Sequence, residues 1–529
     1  MHKHRLTICA VLALSVAGCT SWSEYVHNRF KVGPEYCRPA APVAERWIDA
    51  DDIRVHSESV DDSQWWTVFN DAILTDLIQV AYQQNLTVRE AGYRVLQARA
   101  ELGVVTGYLF PQVQELNADF NRKSVSTAVA NRVATPEKSF SQWDFGFGLS
   151  WELDFWGRFR RAVEAGEDSL DASVENYDDV LVTLLGDVAG NYVQLRTLEQ
   201  QLAYVRTNVE LQRETLGIAR ARFEGQMTTE LDPSQAQSAL AQTEAQIPQL
   251  QIQIRQTCHR LCVLLGMPPE DLQARLNGGS IPTAPVEVAV GIPCDLLRRR
   301  PDVRRQERLA AAQCAEIGIA EADFYPAISI NGTIGYSAQY LPDLATTAAF
   351  RGGIGPGFQW KILNYGRIVN NVRAQEAKFQ QVVTSYQNTV LRANEEAENG
   401  LVQFLRSQQR AESMAVSVGA AEKAVKVAVA QYKGGMVDFN RVALLEQNLV
   451  QQQDLLAQSQ GEIAQGLIQL YKALGGGWQI RTADGPIAVL PPAGSASGVV
   501  PRPSDLLPQP HPDGLKEPAS KDATRAAGS

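Results

Sequence analysis

The chain has 529 residues, of which 45% are hydrophobic, and a formal net charge of −10. This length and apolar content suffice for a large core, whereas the negative charge argues against nucleic acid as a partner, since phosphate binding needs a basic face. No run of 18 or more apolar residues follows the N-terminus, so the sequence offers no transmembrane helix. Any bilayer span would then need a closed β-barrel, the other architecture that satisfies every backbone group.

The first residues are typical of a secretion signal. A basic MHKHR precedes a short apolar run, and VAGC ends that run at Cys19. Small residues directly before a cysteine resemble a bacterial lipobox, which predicts a signal peptide over 1–18 and acylation of Cys19. Thr20 at the next position favours the outer membrane by the same resemblance. The alternative is a plain signal peptide with an incidental cysteine.

The remaining cysteines indicate neither a disulfide framework nor a metal site. Seven cysteines minus Cys9 and Cys19 leave five, an odd number. Cys258 and Cys262 flank His259 within one helical turn, but the sequence offers no second ligand cluster. No P-loop, GxSxG or HExxH pattern occurs either. We therefore predict no metal, no cofactor and no enzymatic activity.

A segment over 19–72 leads to a predicted helix over 73–107 and a predicted β-hairpin over 112–155. In the second strand of this hairpin, large apolar residues alternate with small or polar ones, which indicates a strand with two different faces. The apolar positions are Trp143, Phe145, Phe147, Leu149, Trp151, Leu153 and Phe155. In the first strand Leu116 is out of phase with Val113, which predicts a bulge.

The hairpin is followed by a predicted helix of unusual length. No proline occurs between Pro136 and Pro233, and a helix over 157–223 would be about 100 Å long. Apolar residues recur in it at every seventh position, as expected of helices packed along their length. These positions are Leu181, Val188, Leu195, Leu202, Val209, Leu216 and Phe223. A return helix over 231–265 completes a first repeat over 73–270.

The second half of the chain repeats the first. FWGR at 155–158 recurs as NYGR at 364–367, a shift of 209 that RFEG/QYKG and VLLG/KALG share. After an inter-repeat segment over 271–300, the pattern predicts a second repeat over 301–478. A Pro/Gly/Ser-rich tail over 479–529 is expected to be disordered.

The second repeat has its own hairpin and helix pair. We predict a helix that begins at Pro301, a hairpin over 327–363, a long helix over 366–432 and a return helix over 440–474. The apolar strand positions carried over from the first repeat include Phe358, Trp360 and Ile362.

The two-faced strands point to a membrane. In a secreted and lipidated chain, an apolar side and a polar side indicate contact with lipid and with water. The alternative is a soluble sandwich whose core holds the aromatic rings. About four strands are too few for a sandwich or a closed barrel, so several copies would have to combine their strands. The long helices would then continue the same tube.

Three segments resemble TolC-type outer-membrane factors, in particular the NodT-type efflux lipoproteins. They are WWTVFNDAILTDLIQVAYQQNL, WELDFWGRFRRAVEAG and LLRRRPDVRRQERLAAAQCAEIGIAEADFYPAISI. The resemblance extends from about Cys19 to Trp478. It implies an α + β membrane protein with two internal repeats, forming a homotrimer. A 12-stranded outer-membrane β-barrel, with four strands per chain, would continue into a periplasmic α-helical coiled-coil barrel. The segments over 19–72 and 271–300 would build an equatorial region.

The resemblance also implies a function. The protein would be the outer-membrane channel of a tripartite efflux or secretion system, a passive exit duct that contacts lipid. It would receive substrates from a periplasmic adaptor (membrane fusion) protein and an inner-membrane transporter of the RND type. The alternative is a non-conducting periplasmic coiled-coil lipoprotein with a structural or adaptor role.

The implied resting gate lies at the periplasmic tip of the helices. The aperture candidates are Asp438, Arg441, Leu444 and Glu446. Relatives usually have an aspartate at the position of Leu444, so an aspartate ring is not expected there. The sequence leaves three alternatives for this part of the gate: ion pairs between chains, an apolar constriction at Leu444, or a solvated turn. The candidates for adaptor docking are Gly225, Glu230, Gly434 and Gly435, although glycine also suits a chain reversal between helices.

Overall fold

The structure, a computed structural model, describes residues 22–58, 62–126, 128, 130, 137–276 and 278–483. The predicted signal peptide, the acylation site at Cys19 and nearly all of the predicted tail lie outside these residues. Met1–Ile480 forms one compact unit and Arg481–Ser529 a second. The described elements below belong to the first unit, apart from the end of the last short helix.

The described part of the chain is mainly helical, and two of its helices are unusually long. In the described part of the chain the helices are α1 (Trp22–His27), α2 (Ala72–Gln84), α3 (Leu86–Gly107), α4 (Arg158–Glu224), α5 (Leu231–Glu244), α6 (Gln246–Leu264), α7 (Gln273–Leu276), α8 (Leu296–Arg299), α9 (Pro301–Ala322), α10 (Arg367–Lys433), α11 (Phe439–Ala473) and α12 (Ile480–Ala483). The strands are β1 (Val55–His56), β2 (Val113–Ser124), β3 (Ser139–Leu153), β4 (Val288–Ala289), β5 (Ala327–Ala338) and β6 (Phe350–Gln359). Helices α4 and α10 have 67 residues each, about 100 Å at 1.5 Å per residue.

The long helices start and pack alike. Each follows a glycine in the left-handed conformation, Gly157 with φ 81° and Gly366 with φ 80°, which a side chain would strain. The heptad positions of α4 from Leu181 to Leu216 are buried, whereas Phe223 at the tip is 42% exposed. The matching positions of α10, from Val390 to Tyr432, are all buried. The seven-residue pattern therefore marks a packed seam.

Two of the predicted helices are interrupted. The helix predicted over 73–107 breaks at Asn85, which is extended (ψ 129°) and caps α3 by accepting from Thr87 N and Val88 N. The helix predicted over 231–265 breaks at Ala245. Pro248 lies just beyond, and because proline has no N–H it cannot bond the carbonyl four residues earlier.

The four long strands form one antiparallel sheet in the order β2-β3-β5-β6. Phe147 lies opposite Leu116 of β2 and Ile334 of β5. The β2–β3 pairing runs without interruption from Val113 to Ser124, so the predicted bulge is wrong. The alternation of apolar and polar residues in β2 is interrupted instead by Gln114, a polar residue that lies opposite Leu149 on the apolar face.

Strands β3 and β6 stop earlier than predicted. They do so at the end of the sheet that is next to the start of the long helices, which we call the lower end. By the register, Pro326 would lie opposite both Phe155 and Trp360, and proline cannot donate to a ladder. β3 therefore ends at Leu153 and β6 at Gln359. Phe155, Trp360 and Ile362, predicted as strand residues, lie beyond the sheet.

The arginines of α9 and the residue before it join the long helices. Arg300 Nη2 lies 2.7 Å from Asp302 Oδ2 and 2.8 Å from Glu396 Oε2 of α10, while its Nη1 donates to Ala473 O of α11 at 2.9 Å. Arg304 pairs with Glu175 of α4 at 2.5 Å. The RRPDVRR segment therefore joins α4 and α10 through ion pairs and α11 through a hydrogen bond.

The N-terminal segment runs along these helices. Tyr25 OH donates to Phe155 O at 2.7 Å, at the lower end of the sheet. Further along, Arg161 of α4 donates to Val32 O and Gly33 O. A Cβ on Gly33 would lie 2.4 Å from Gly318 Cα of α9, so only glycine permits this close approach. Beyond them, β1 pairs with β4 in parallel.

Arg300→Ala tests the arginine connection. The substitution removes the donor to the Ala473 carbonyl and the ion pairs with Asp302 and Glu396. Because the Glu396 carboxylate is 57% exposed and can be hydrated, we expect a loss of about 1–3 kcal/mol of stability. Circular dichroism during heating of the purified protein would record a lower midpoint. Arg298→Ala is the control, because Arg298 lies two residues before Arg300, on α8, and is exposed. Equal midpoints for the two variants would contradict the role of Arg300.

Candidate functional site

One face of the sheet is a continuous apolar surface. The register aligns the alternate residues of all four strands on this face. Its main members are Leu116, Ala118, Phe120, Trp143, Phe145, Phe147, Leu149, Trp151, Leu153, Ile328, Ile330, Ile334, Tyr336, Phe350, Ile354 and Phe358. Phe147 is 41% exposed, Ile334 52% and Phe358 77%. Nothing in the described part of the chain covers these rings, which contradicts the soluble-sandwich alternative.

The opposite face is polar. Alternate positions there hold Asp119 of β2, Asp144 of β3, Asn331 of β5 and Arg351 of β6, with glycines between them. Arg351 Nη2 lies 3.2 Å from Asp144 Oδ1, so part of the charge is paired across the sheet. The sheet therefore has one apolar face and one polar face.

Aromatic rings mark both ends of the apolar face. Phe120 and Trp143 pack with centroids 4.4 Å apart at the upper end. At the lower end, Trp151 Nε1 donates to Leu109 O at 3.3 Å and Trp360 Nε1 to Phe324 O at 2.9 Å. Trp143 and Trp151 are about 27 Å apart along the strand, or about 21 Å at a tilt of about 40°. Such spacing suits the aromatic girdles of an outer-membrane sheet.

The far ends of the long helices turn in the same way. Met227 N donates to Arg222 O, and Met436 N donates to Gln431 O, both at 2.9 Å, which is the pattern of a Schellman turn. The left-handed residue of the second turn is Gly435, with φ 74°.

The first turn reverses without a left-handed glycine. Its left-handed residue is Gln226, with φ 57°. Gly225 and Gly434 have φ −74° and −79°, so chain reversal does not require glycine there. Glu230 is exposed beside the first turn.

Side-chain contacts join the two turns. Tyr432 of α10 is fully buried and donates to Asp232 Oδ2 of α5 at 2.9 Å. The guanidinium of Arg222 lies 4.4 Å above the Tyr432 ring and donates to its carbonyl. Burial raises the pKa of Tyr432, and Asp232 raises it further. This tip cluster, defined as Arg222, Asp232, Tyr432 and Phe439, unites α4, α5, α10 and α11.

The aperture candidates have different surroundings. Asp438 caps α11 by accepting from Arg441 N at 3.2 Å, and both residues are exposed. Leu444 is 65% exposed. Glu446 is only 2% exposed, because it points between α11 and α4 and accepts from Thr215 Oγ1 at 2.7 Å. In this arrangement of the chain the Glu446 carboxylate is therefore not exposed for an ion pair between copies, and its role at the aperture stays a prediction.

The sequence analysis did not predict the polar contact between α4 and α11 in which Glu446 lies. Gln201, Asn208, Thr215 and Arg222 recur every seven residues along α4, each directly before an apolar heptad position. A polar heptad repeat beside an apolar one was the available signal.

Comparison with known proteins connects this geometry to a family. The family described as "Outer membrane efflux protein" matches residues 77–267 and 292–476. The chain belongs to this family. The family is one of efflux channels, and the prediction of a TolC/NodT-type outer-membrane efflux protein is confirmed.

Relatives of this efflux protein share most of its length. "Nodulation protein T" of Rhizobium leguminosarum bv. viciae is 28% identical over 484 residues, or 90% of this chain and 94% of the relative. "Pyoverdine export outer membrane protein OpmQ" of Pseudomonas putida is 28% identical over 433 residues, or 81% and 91%. The solved outer-membrane channel OprN is 30% identical with a TM-score of 0.79, covering 85% of this chain and 99% of that one.

Family membership gives the sheet and helices of this efflux protein their location. It lies in the outer membrane with a large periplasmic helical part, as predicted. No described helix combines the length and apolar character that crossing a membrane would require.

Tyr432→Phe tests the tip cluster of this efflux protein. Removal of the hydroxyl takes one hydrogen-bond donor from Asp232. We therefore expect the free energy of unfolding to fall by about 1.5–3 kcal/mol, the contribution of a hydrogen bond to a charged group. Limited proteolysis of the purified protein should show faster cleavage near residues 225–230 and 434–438. Tyr204→Phe on α4, whose hydroxyl is not part of the cluster, is the control. Identical cleavage rates for wild type and both variants would refute the contribution of this bond.

Proposed function

We propose that three copies of the chain form the outer-membrane channel of a tripartite efflux or secretion system. Substrates would enter at the helical tip and leave through the lumen of the sheet without a chemical step. The observation that carries the proposal is the two-faced sheet, whose apolar side is exposed while its other side is polar. Lipid outside and water inside satisfy both faces.

The edges of the sheet support assembly. β2 and β6 each have one neighbour within the described chain, so the outer side of each strand presents unpaired backbone groups. Lipid cannot bond these groups. Pairing β6 of one copy with β2 of the next would close three sheets into a 12-stranded β-barrel. A barrel of more than about eight strands leaves an interior wide enough for a channel.

The helices would continue this duct through the periplasm. Long helices that begin at the lower end of the sheet in each proposed repeat, at Gly157 and Gly366, suit a coiled-coil barrel beneath the β-barrel. Acylation of Cys19 would hold the N-terminus at the membrane, in keeping with the contact of Tyr25 with the base of the sheet. The equatorial region would comprise this N-terminal segment and 271–300.

The tip would hold both the gate and the docking surface. Leu444 is the exposed apolar candidate for a constriction, and Asp438 and Arg441 are exposed candidates for ion pairs between copies. A periplasmic adaptor would dock on the turns around Gly225, Glu230, Gly434 and Gly435. An inner-membrane transporter, of the RND type by resemblance, would supply the substrates. Relatives named as export or efflux-pump outer-membrane proteins support such partners.

A pair of adjacent substitutions tests the proposed channel. Ile334 lies on the apolar face of β5 and Thr333 on the polar face, and both are exposed in the single chain. Ile334→Lys should cost about 2–4 kcal/mol in lipid, so we expect it to be lost from the outer-membrane fraction. Thr333→Lys should face water, and that variant should be recovered as trimers that conduct ions in planar bilayers.

The outcomes separate the two functional hypotheses. Equal membrane recovery of both variants would contradict a lipid-facing sheet. A wild-type protein that extracts as a monomer and conducts no ions would refute the channel and favour the non-conducting coiled-coil lipoprotein.

A further inference from the structure

The contact between α4 and α11 is polar although much of it is buried. Three of the side-chain hydrogen bonds that cross it lie in the half nearer the tip: Thr215 Oγ1 to Glu446 Oε1 at 2.7 Å, Asn208 Nδ2 to Gln453 Oε1 at 2.7 Å, and Gln201 Nε2 to Asp454 Oδ1 at 2.6 Å. The donors on α4 are seven residues apart, about 10 Å along a helix. We call this set the polar seam. Its bond nearest to the tip cluster is the one that Glu446 accepts.

Glu446 has the least compensated charge in the polar seam. The Asn208–Gln453 pair is neutral. Asp454 accepts from two amides, Gln201 at 2.6 Å and Gln458 at 2.9 Å. Glu446 is 2% exposed, and in the described part of the chain its hydrogen-bond partner is the Thr215 hydroxyl. Burial raises the pKa of Glu446, and the bond from Thr215 opposes that rise.

Charged groups on the packed helices do not offset this burial. The titratable groups on the adjoining turns include Arg222 of α4, Asp232 of α5, Glu422, Lys426 and Tyr432 of α10, and Arg441 of α11. Arg213, Glu214 and Arg220 of α4 are also near in sequence to Thr215, but all three are exposed. Arg222, Asp232 and Tyr432 bond within the tip cluster, and Glu422 accepts from Gln453 at 3.2 Å. Lys426 and Arg441 are exposed. The causes of the shifted pKa are burial and Thr215 alone.

We propose that Glu446 makes the packed contact between α4 and α11 depend on proton binding, so that acid stabilises the closed tip and proton loss favours its separation. The inference rests on the proposed function, in which parting of these helices widens the duct.

The direction of this pH dependence follows from the two environments of the Glu446 carboxyl group. The packed seam favours the neutral acid, whereas water around a separated seam favours the carboxylate. The stabilisation is therefore fully present at low pH and falls as pH rises through the raised pKa of the packed state. The Thr215 hydroxyl both donates and accepts, so it can bond either form of Glu446.

Glu446→Gln separates the proton from the side chain's shape. Glutamine stays neutral at every pH, so the variant should keep the seam packed. At pH 4 we expect the full-length wild type and the Glu446→Gln variant to melt at the same temperature. At pH 8 the variant should melt about 1–3 °C higher. Glu210→Gln, at an exposed carboxylate of α4, should leave the wild-type pH profile unchanged.

Planar-bilayer recordings supply a second readout. The open probability of the wild type should rise between pH 4 and pH 8, by up to about tenfold for each unit by which burial raises the pKa. The open probability of Glu446→Gln should stay low across the range. Thr215→Val removes the bond that opposes the rise, so its transition should move to higher pH.

The readouts distinguish the two proposals. A Glu446→Gln variant that keeps the wild-type pH dependence of melting or opening would overturn the role of Glu446. A wild type that conducts at all pH values without pH dependence would do the same. A wild type that never conducts would refute the proposed channel, and the melting profiles would still decide whether Glu446 binds the proton. If Glu446→Gln fails to fold, an unshifted Thr215→Val transition overturns the inference.

Discussion

The four-stranded sheet imposes a constraint that the described part of its own chain does not meet. Its apolar face needs an apolar medium, and each edge strand carries a row of N–H and C=O groups that such a medium cannot bond. A one-residue slip in register would carry every ring to the polar face, so the alternation also fixes how the strands pair. In the described part of the chain no strand extends the sheet beyond β2 or β6, and the proposed trimer would meet the constraint by pairing these two edges between copies.

The helices below the sheet need precise placement if copies are to meet in this way. A 100 Å helix magnifies any error in its starting direction, and both long helices start at left-handed glycines. The structure limits such error by side contacts as well as by the turns. Arg300 bonds groups of α10 and α11, and Arg304 bonds Glu175 of α4. Guanidinium groups suit this task because their donors point in fixed directions.

Periodicity in the sequence predicted the elements better than their ends. The alternation around Trp151 and the heptads of α4 report which face is buried, and that depends on spacing alone. Strand ends depend on the partner strand: Trp360 leaves the sheet because Pro326 lies opposite. The break at Asn85 follows from a cap inside an apolar pattern. The burial of Glu446 was missed because its partner Thr215 lies 231 residues earlier in the chain, although the polar heptad repeat of α4 marked the helix face that it contacts.

The two contacts of α11 differ in a way that indicates where the tip can part. Against α10 the contact near the tip is mainly apolar: the rings of Tyr432 and Phe439 lie 5.5 Å apart, and Leu449 packs in a buried cluster with Val425. Separation there would expose apolar surface and leave voids, at a cost of several kcal/mol for each large side chain. Against α4, hydroxyls and amides can exchange their partners for water at a net cost of about 1 kcal/mol per bond. Water entering between α4 and α11 therefore encounters less resistance than water entering between α10 and α11.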